Sequence, residues 1–292
     1  KEFNMPDHES INPSFDFISH LFFWICIIGL FIVSYFDVLS WMFIRFTGKD
    51  SYYTHGFLVP FVSCYFIWLK RSALKKQNLS RSWLGLSLII VALCFHLIGT
   101  ILYIFSISGL SIFVFIFGLF LFLFGKDVLR IIFFPLIFLV FMFPVPEAFL
   151  SAISFPLKQL VAKVGVELVT FCGIPVLREG FNISIPAGEL VVGNPCSGLR
   201  SIIAFLALGA VFAYISNMSI GKKLLVFFSA VPAALLSNII RVPMLILVSH
   251  FWGISAASPD TIWHSGIGLI VFVIALRSEE HTSELQSLSH IS

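Results

Sequence analysis

Residues 83–145 read WLGLSLIIVALCFHLIGTILYIFSISGLSIFVFIFGLFLFLFGKDVLRIIFFPLIFLVFMFPV, and no water-soluble fold can bury such a stretch. A helix that crosses a bilayer needs about 20 predominantly apolar residues. The stretch divides into three such segments, 83–105, 109–125 and 129–145, with Lys126 and Arg130 between the second and third. The same pattern continues on both sides, at 18–38 and 56–69 ahead, and at 198–217, 223–250 and 262–277 behind. The expected fold is therefore an all-α polytopic integral membrane protein with about eight transmembrane helices. Composition agrees: of 292 residues 59% are hydrophobic and 11% charged, against roughly 25% charged in ordinary soluble domains, and the mean hydropathy is +1.01. A net charge of +3 is too small to point to nucleic acid. Cys26, Cys64, Cys94, Cys172 and Cys196 are scattered, with no CxxC pair and no metal-ligand spacing. Neither a disulfide framework nor a metal is expected, and no cofactor is called for.

Lys and Arg accumulate in cytoplasmic loops. Lys70, Arg71, Lys75, Lys76 and Arg81 form the strongest basic cluster, which places that loop and the N-terminus in the cytoplasm. Counting onward puts Lys126, Arg130, Lys222, Lys223 and Arg277 on the same side. An alternation set by one loop thus accounts for the charge of the others. Residues 148–173 are a weaker helical stretch carrying Lys158, Lys163 and Glu167. They are read as lying at the membrane surface or re-entering it, because a full crossing would put Lys222 and Lys223 outside. The loop 174–195 then lies on the outer face. Its alternation of Phe181, Ile183 and Ile185 with Asn182 and Ser184, the turn Pro186-Ala187-Gly188 and the run 190–192 predict a small β-hairpin. The last fifteen residues, SEEHTSELQSLSHIS (278–292), turn abruptly polar and resemble translated sequencing-adapter read-through. They are set apart from the 1–277 domain.

Ionisable groups in or beside membrane spans are expensive and mark function by default. Cys196 and Arg200 fall in NPCSGLRS at the start of the sixth span, Arg241 in SNIIRVP near the outer end of the seventh, and His264 in IWHSGIG where the last span begins. Arg241 follows Lys223 by roughly 27 Å of helical rise. Three helices thus place a thiol, a guanidinium and an imidazole at one depth. The chemistry this suggests is nucleophilic acyl transfer: the pKa of a thiol falls beside Arg, His⁺ or a helix N-terminus. In that scheme His264 moves the proton, while Arg241, always charged, stabilises thiolate or oxyanion. Each residue also has a structural reading. A membrane cysteine fills apolar space, an arginine near a helix end snorkels, and a histidine at a span entrance is interfacial. For Arg241 that reading is weakened by Ser237, Asn238 and Pro243, which suggest a broken, polar helix. His55 in YYTHGFLVP is a further outer-face candidate, while His96 and His250 are read as structural.

At these residues the sequence resembles the exosortase/archaeosortase family of membrane cysteine transpeptidases. The resemblance runs from YYTHGFLVP through FPVPEAF and REGFNISIPAGELVVGNPCSGLRS to SNIIRVP and IWHSGIG, over about residues 50–277. It implies a catalytic set of Cys196, Arg241 and His264, and Arg200 matches the family's Arg after the Cys; Arg200, Asn238 and His55 are read as substrate-binding candidates. It implies substrates that are exported proteins with a C-terminal sorting signal: a short motif, often of Pro-Glu-Pro type, a membrane helix and a basic tail. The enzyme would cut near the motif at the outer face of the inner membrane and pass the new C-terminus to an acceptor amine or lipid. In bacteria this is often linked to exopolysaccharide production. The alternative from another class is a transporter or exopolysaccharide-export component that uses Arg241 and His264 as substrate or proton sites. No internal repeat of the kind common in transporters is found.

Overall fold

The computed structural model describes residues 13–48, 51–193 and 198–257. The helices are α1 (Pro13–Ser34), α2 (Phe36–Thr47), α3 (Leu58–Leu69), the single turn α4 (Arg71–Leu74), α5 (Trp83–Ile101), α6 (Phe105–Phe138), α7 (Glu147–Phe171), α8 (Leu199–Ile215) and α9 (Ile220–Trp252). A three-stranded antiparallel sheet, β1 (Leu177–Glu179), β2 (Asn182–Ile185) and β3 (Gly188–Val191), lies between α7 and α8 in the chain. By length and composition, Trp83–Ile101, Phe105–Met142, Glu147–Phe171 and Ile220–Trp252 are able to cross a membrane. The pair Trp24–Ser34 and Phe36–Thr47, bent by 70°, makes a fifth if it counts as one span. The expected span at 18–38 is therefore broken at its end, and those at 56–69 and 198–217 become the shorter apolar helices Thr54–Leu69 and Leu199–Ile215. The span expected at 262–277 lies outside the described residues.

The stretch Phe105–Met142 is not one rod. Gly125 has φ +84° and ψ −176°, a conformation open to glycine and almost nothing else. In a straight helix Phe117 and Phe133 would stand about 24 Å apart, and Phe113 and Phe143 about 45 Å. Their ring centroids are 5.9 Å and 5.7 Å apart. The chain therefore folds back at Gly125 into a helical hairpin with arms 105–124 and 126–138, matching the division expected between 125 and 129. The first arm packs against α5 through small residues: a Cβ on Gly85 would lie 2.6 Å from the Gly118 carbonyl, and one on Gly99 would lie 2.6 Å from the Ser108 amide. Without a hydrophobic driving force between helices in lipid, such close backbone approach is what holds them. The second arm packs against α3, where the buried Ser63 hydroxyl donates to the Pro135 carbonyl at 2.6 Å and Phe66 meets Phe134 edge-on.

The basic turns gather at one end of the bundle. Gly125 at the hairpin tip abuts the Ser80 carbonyl of the 75–82 loop. The Lys70 ammonium stands over the Tyr214 ring at 5.9 Å, near the end of α8. Lys223 lines a groove with the same tyrosine. Residues expected on one side of a bilayer are thus spatial neighbours, although they come from three separate turns.

At the opposite end lie the sheet and α7. The predicted hairpin forms, with Ile183 paired to Leu190, and β1 adds a third strand in which Arg178 faces Ile183. Ile183 and Ile185 are buried in one cluster with Val161 and Val169 of α7 and Val242 and Ile246 of α9, so the period-2 pattern did select the inward face. Helix α7 is long enough to cross, yet its neighbours all belong to this end. Glu147 pairs with Arg45, and Leu150 and Leu157 share a cluster with Tyr53 and Leu199. A Cβ on Gly165 would lie 2.9 Å from Val242. Cys64 and Cys94 are exposed on the helix surfaces, and Cys26 is partly buried.

Candidate active site

The segment between α2 and α3 is built by short-range polar contacts. The Ser51 hydroxyl donates to the Arg45 carbonyl and accepts the Tyr53 amide at 2.9 Å, turning the chain back toward the bundle. Tyr53 is buried, and its hydroxyl accepts the Val145 amide at 2.9 Å. Burial pushes this phenol above its ordinary pKa, with the Val145 hydrogen bond pulling the other way. His55 Nε2 meets the Phe141 carbonyl at 3.2 Å. A carbonyl can only accept, so Nε2 carries the proton and Nδ1 is the basic nitrogen. Nδ1 is buried with no hydrogen-bond partner among the described residues. Arg45 closes the arrangement by an ion pair to Glu147, in the first turn of α7 where the helix dipole favours an anion. Trp41, Arg45, Tyr52, Tyr53, Val145 and Glu147 border a cleft of about 410 Å³.

The start of α8 joins the same region. Leu199 and Ile203 pack into the cluster that holds Tyr53, Val145 and Leu150. Gly198 caps the helix at φ +78° and lies against α9: a Cβ there would be 3.0 Å from Asn238 Nδ2 and 3.2 Å from Asn238 Cβ. Asn238 is only 2% exposed, a position that an amide rarely takes without a specific role. Arg241 follows it by about one helical turn and is half-buried. Both stand beside Pro243, inside α9, which cannot donate to the carbonyl of Ile239 and so loosens the helix there. Arg200 is half-buried in the first turn of α8, where the helix dipole disfavours a cation. Its position is not one that helix stability selects.

The sequence-predicted residues thus divide. Asn238 and Arg241 stand on α9 where Gly198 packs against Asn238, and Arg200 lies in the first turn of α8 just after that glycine. His55 is tied to Phe141 at the end of the α6 hairpin. Cys196 and His264 lie outside the described residues, so of the expected catalytic set only Arg241 is described. His96, read as structural, bridges helices: Nδ1 meets Ser108 Oγ at 2.5 Å and Nε2 the Ser34 carbonyl at 3.0 Å. Sequence reasoning missed the Arg45–Glu147 pair and the Tyr53–Val145 hydrogen bond. Only the presence of YYTHGF and FPVPEAF as separate motifs could have hinted at them. Among the described residues no group of three His, Cys, Asp or Glu side chains is arranged to hold a metal ion.

Fold and site together define a helical membrane protein with Arg200, Asn238, Arg241 and the small sheet toward one end of the bundle and Lys70, the 75–82 loop and Lys223 toward the other. The family model described as transmembrane exosortase (Exosortase_EpsH) matches residues 41–277, and the chain belongs to that family. No curated protein and no solved structure matches it.

Proposed function

We propose that this exosortase is a cysteine-dependent protease and transpeptidase that processes exported proteins at the outer face of the cytoplasmic membrane. The observation that carries the reading is the seating of Gly198 on Asn238, about one turn from Arg241. Cys196 precedes Gly198 by two residues in the sequence, and the reading has its thiol act against that face of α9. Family membership supports the sorting role. The gathering of basic turns at the far end supports an orientation with those turns in the cytoplasm. A substrate whose basic tail stays on that side presents its motif at the opposite end, beside Arg241.

In this mechanism the Cys196 thiolate attacks the scissile carbonyl and Arg241 holds the developing oxyanion. The C–N bond breaks as His264 protonates the departing amine, leaving a thioester on Cys196. An acceptor amine or lipid group attacks the thioester, passes its proton to His264 and releases the thiolate. Arg200, Asn238 and His55 bind the substrate strand. The test is the mass of a tagged substrate after co-expression, with hydroxylamine to trap the thioester. Cys196→Ala is expected to abolish cleavage with binding intact, and Cys196→Ser to be nearly inactive. Processing at the wild-type rate in Cys196→Ala would refute the mechanism.

A further inference from the structure

The far end of the bundle carries a second feature. A groove of about 560 Å³ runs between the second arm of α6, α8 and the start of α9, within the size range of small-molecule sites. Its walls are almost wholly apolar: Phe134 stacks on Tyr214 with centroids 3.8 Å apart and planes 3° from parallel. Ala210, Ala213 and Phe227 also line the groove. The span from Phe134 to Phe141 gives the groove about 10 Å of axial length. Its chemistry changes at one end only, where Lys223 joins the lining and the Lys70 ammonium sits over Tyr214.

We infer that this groove binds an anionic phospholipid, with an acyl chain along Phe134, Ala213 and Phe227 and the phosphate between Lys70 and Lys223. Charge decides among the possible occupants. The membrane helix of a substrate with a basic tail would bring like charges against both lysines. A zwitterionic lipid would place its cationic group there too. An anionic headgroup meets opposite charge at the one polar end, the pattern of basic pockets between membrane helices on the cytoplasmic side. The Lys70 and Lys223 end of the groove lies at the opposite end of the bundle from Arg241 and Asn238.

The experiment uses the full chain carrying Cys196→Ala, in nanodiscs of phosphatidylcholine with increasing phosphatidylglycerol, and reads retained lipid by native mass spectrometry. Phosphatidylglycerol is expected to be retained in preference to phosphatidylcholine. Near a membrane surface each lysine contributes about five-fold to anionic-lipid affinity. Lys223→Gln should therefore cut the preference about five-fold and K70Q/K223Q about twenty-five-fold, with helix content unchanged. Ala213→Leu, which narrows the groove without touching a charge, should release both lipids. Equal retention of the two lipids by the parent chain would overturn the inference. So would an unchanged preference in K70Q/K223Q. Displacement of phosphatidylglycerol by a sorting-signal peptide would reassign the groove to substrate, whereas insensitivity to millimolar inorganic phosphate is expected because the acyl chain supplies much of the binding.

Discussion

Gly198 carries more constraint than any neighbouring side chain, because it answers two demands at once. Its φ of +78° costs an L residue roughly 1–2 kcal/mol, and its missing side chain admits Asn238. Gly198→Ala is expected to lower processing at least ten-fold while the protein remains folded, because the start of α8 is pushed off Asn238. Asn238→Ala added to it should recover part of the thermal stability that Gly198→Ala loses, by relieving the contact and leaving only the backbone strain. A double mutant no better than Gly198→Ala would show that the contact is irrelevant. Tyr53→Phe tests a different link. It strands the part-buried Val145 amide, at a cost of about 1 kcal/mol, which thermal unfolding in detergent would register. Arg45→Ala should cost far less, within about 1 kcal/mol, because the Arg45 and Glu147 side chains are 37% and 68% exposed and such pairs contribute little.

At the scale of elements, the hairpin at Gly125 and the packing of α7 on α9 decide where the site stands. Apolar length alone allows 105–142 to be read as one long span. The glycine ahead of Lys126 signals the break, and the ring pairs across the arms fix it. Gly125→Ala meets both a forbidden backbone conformation and a collision with the Ser80 carbonyl. The backbone strain alone costs about 1–3 kcal/mol, and a clear drop in the thermal midpoint is expected; an unchanged midpoint would refute the hairpin. The period-2 pattern of 181–185 was legible because one face of β2 is buried. The short β1 was not, since Leu177 and Glu179 are exposed and leave no alternation to read. Length and composition cannot tell whether α7 crosses the bilayer or lies on it, because only its contacts separate the cases. Gly165→Leu should force α7 from Val242 and reduce processing without changing the sidedness of the basic loops.

For the whole molecule, the charge alternation read along the chain reappears as a spatial gathering of Lys70, the 75–82 loop, Lys126 and Lys223. Cysteine-accessibility labelling should find the 70–82 loop and the 217–223 turn on the cytoplasmic side and 174–193 on the outer side. Outside labelling of 70–82 would invert the orientation and remove the proposed outer-face site. Sequence could reveal this polarity because positive charge is counted loop by loop. It could not reveal that Arg45 meets Glu147 across 102 positions, because such pairing is settled by packing and not by spacing. The tightness of the Gly125 tip also governs where foreign sequence can be accommodated. The backbone there is turned without slack and pressed against Ser80, so a reporter or epitope spliced in at 125–126 has no loop to occupy and would prise the hairpin arms apart. The exposed residues 78–79, free of regular helix and ahead of the Ser80 contact, offer the more permissive position on the same side, since tolerance follows exposure and unengaged backbone. A fluorescent-protein insertion near 79 should yield a membrane-integrated, traceable protein, and the same insertion at the tip should yield degraded protein.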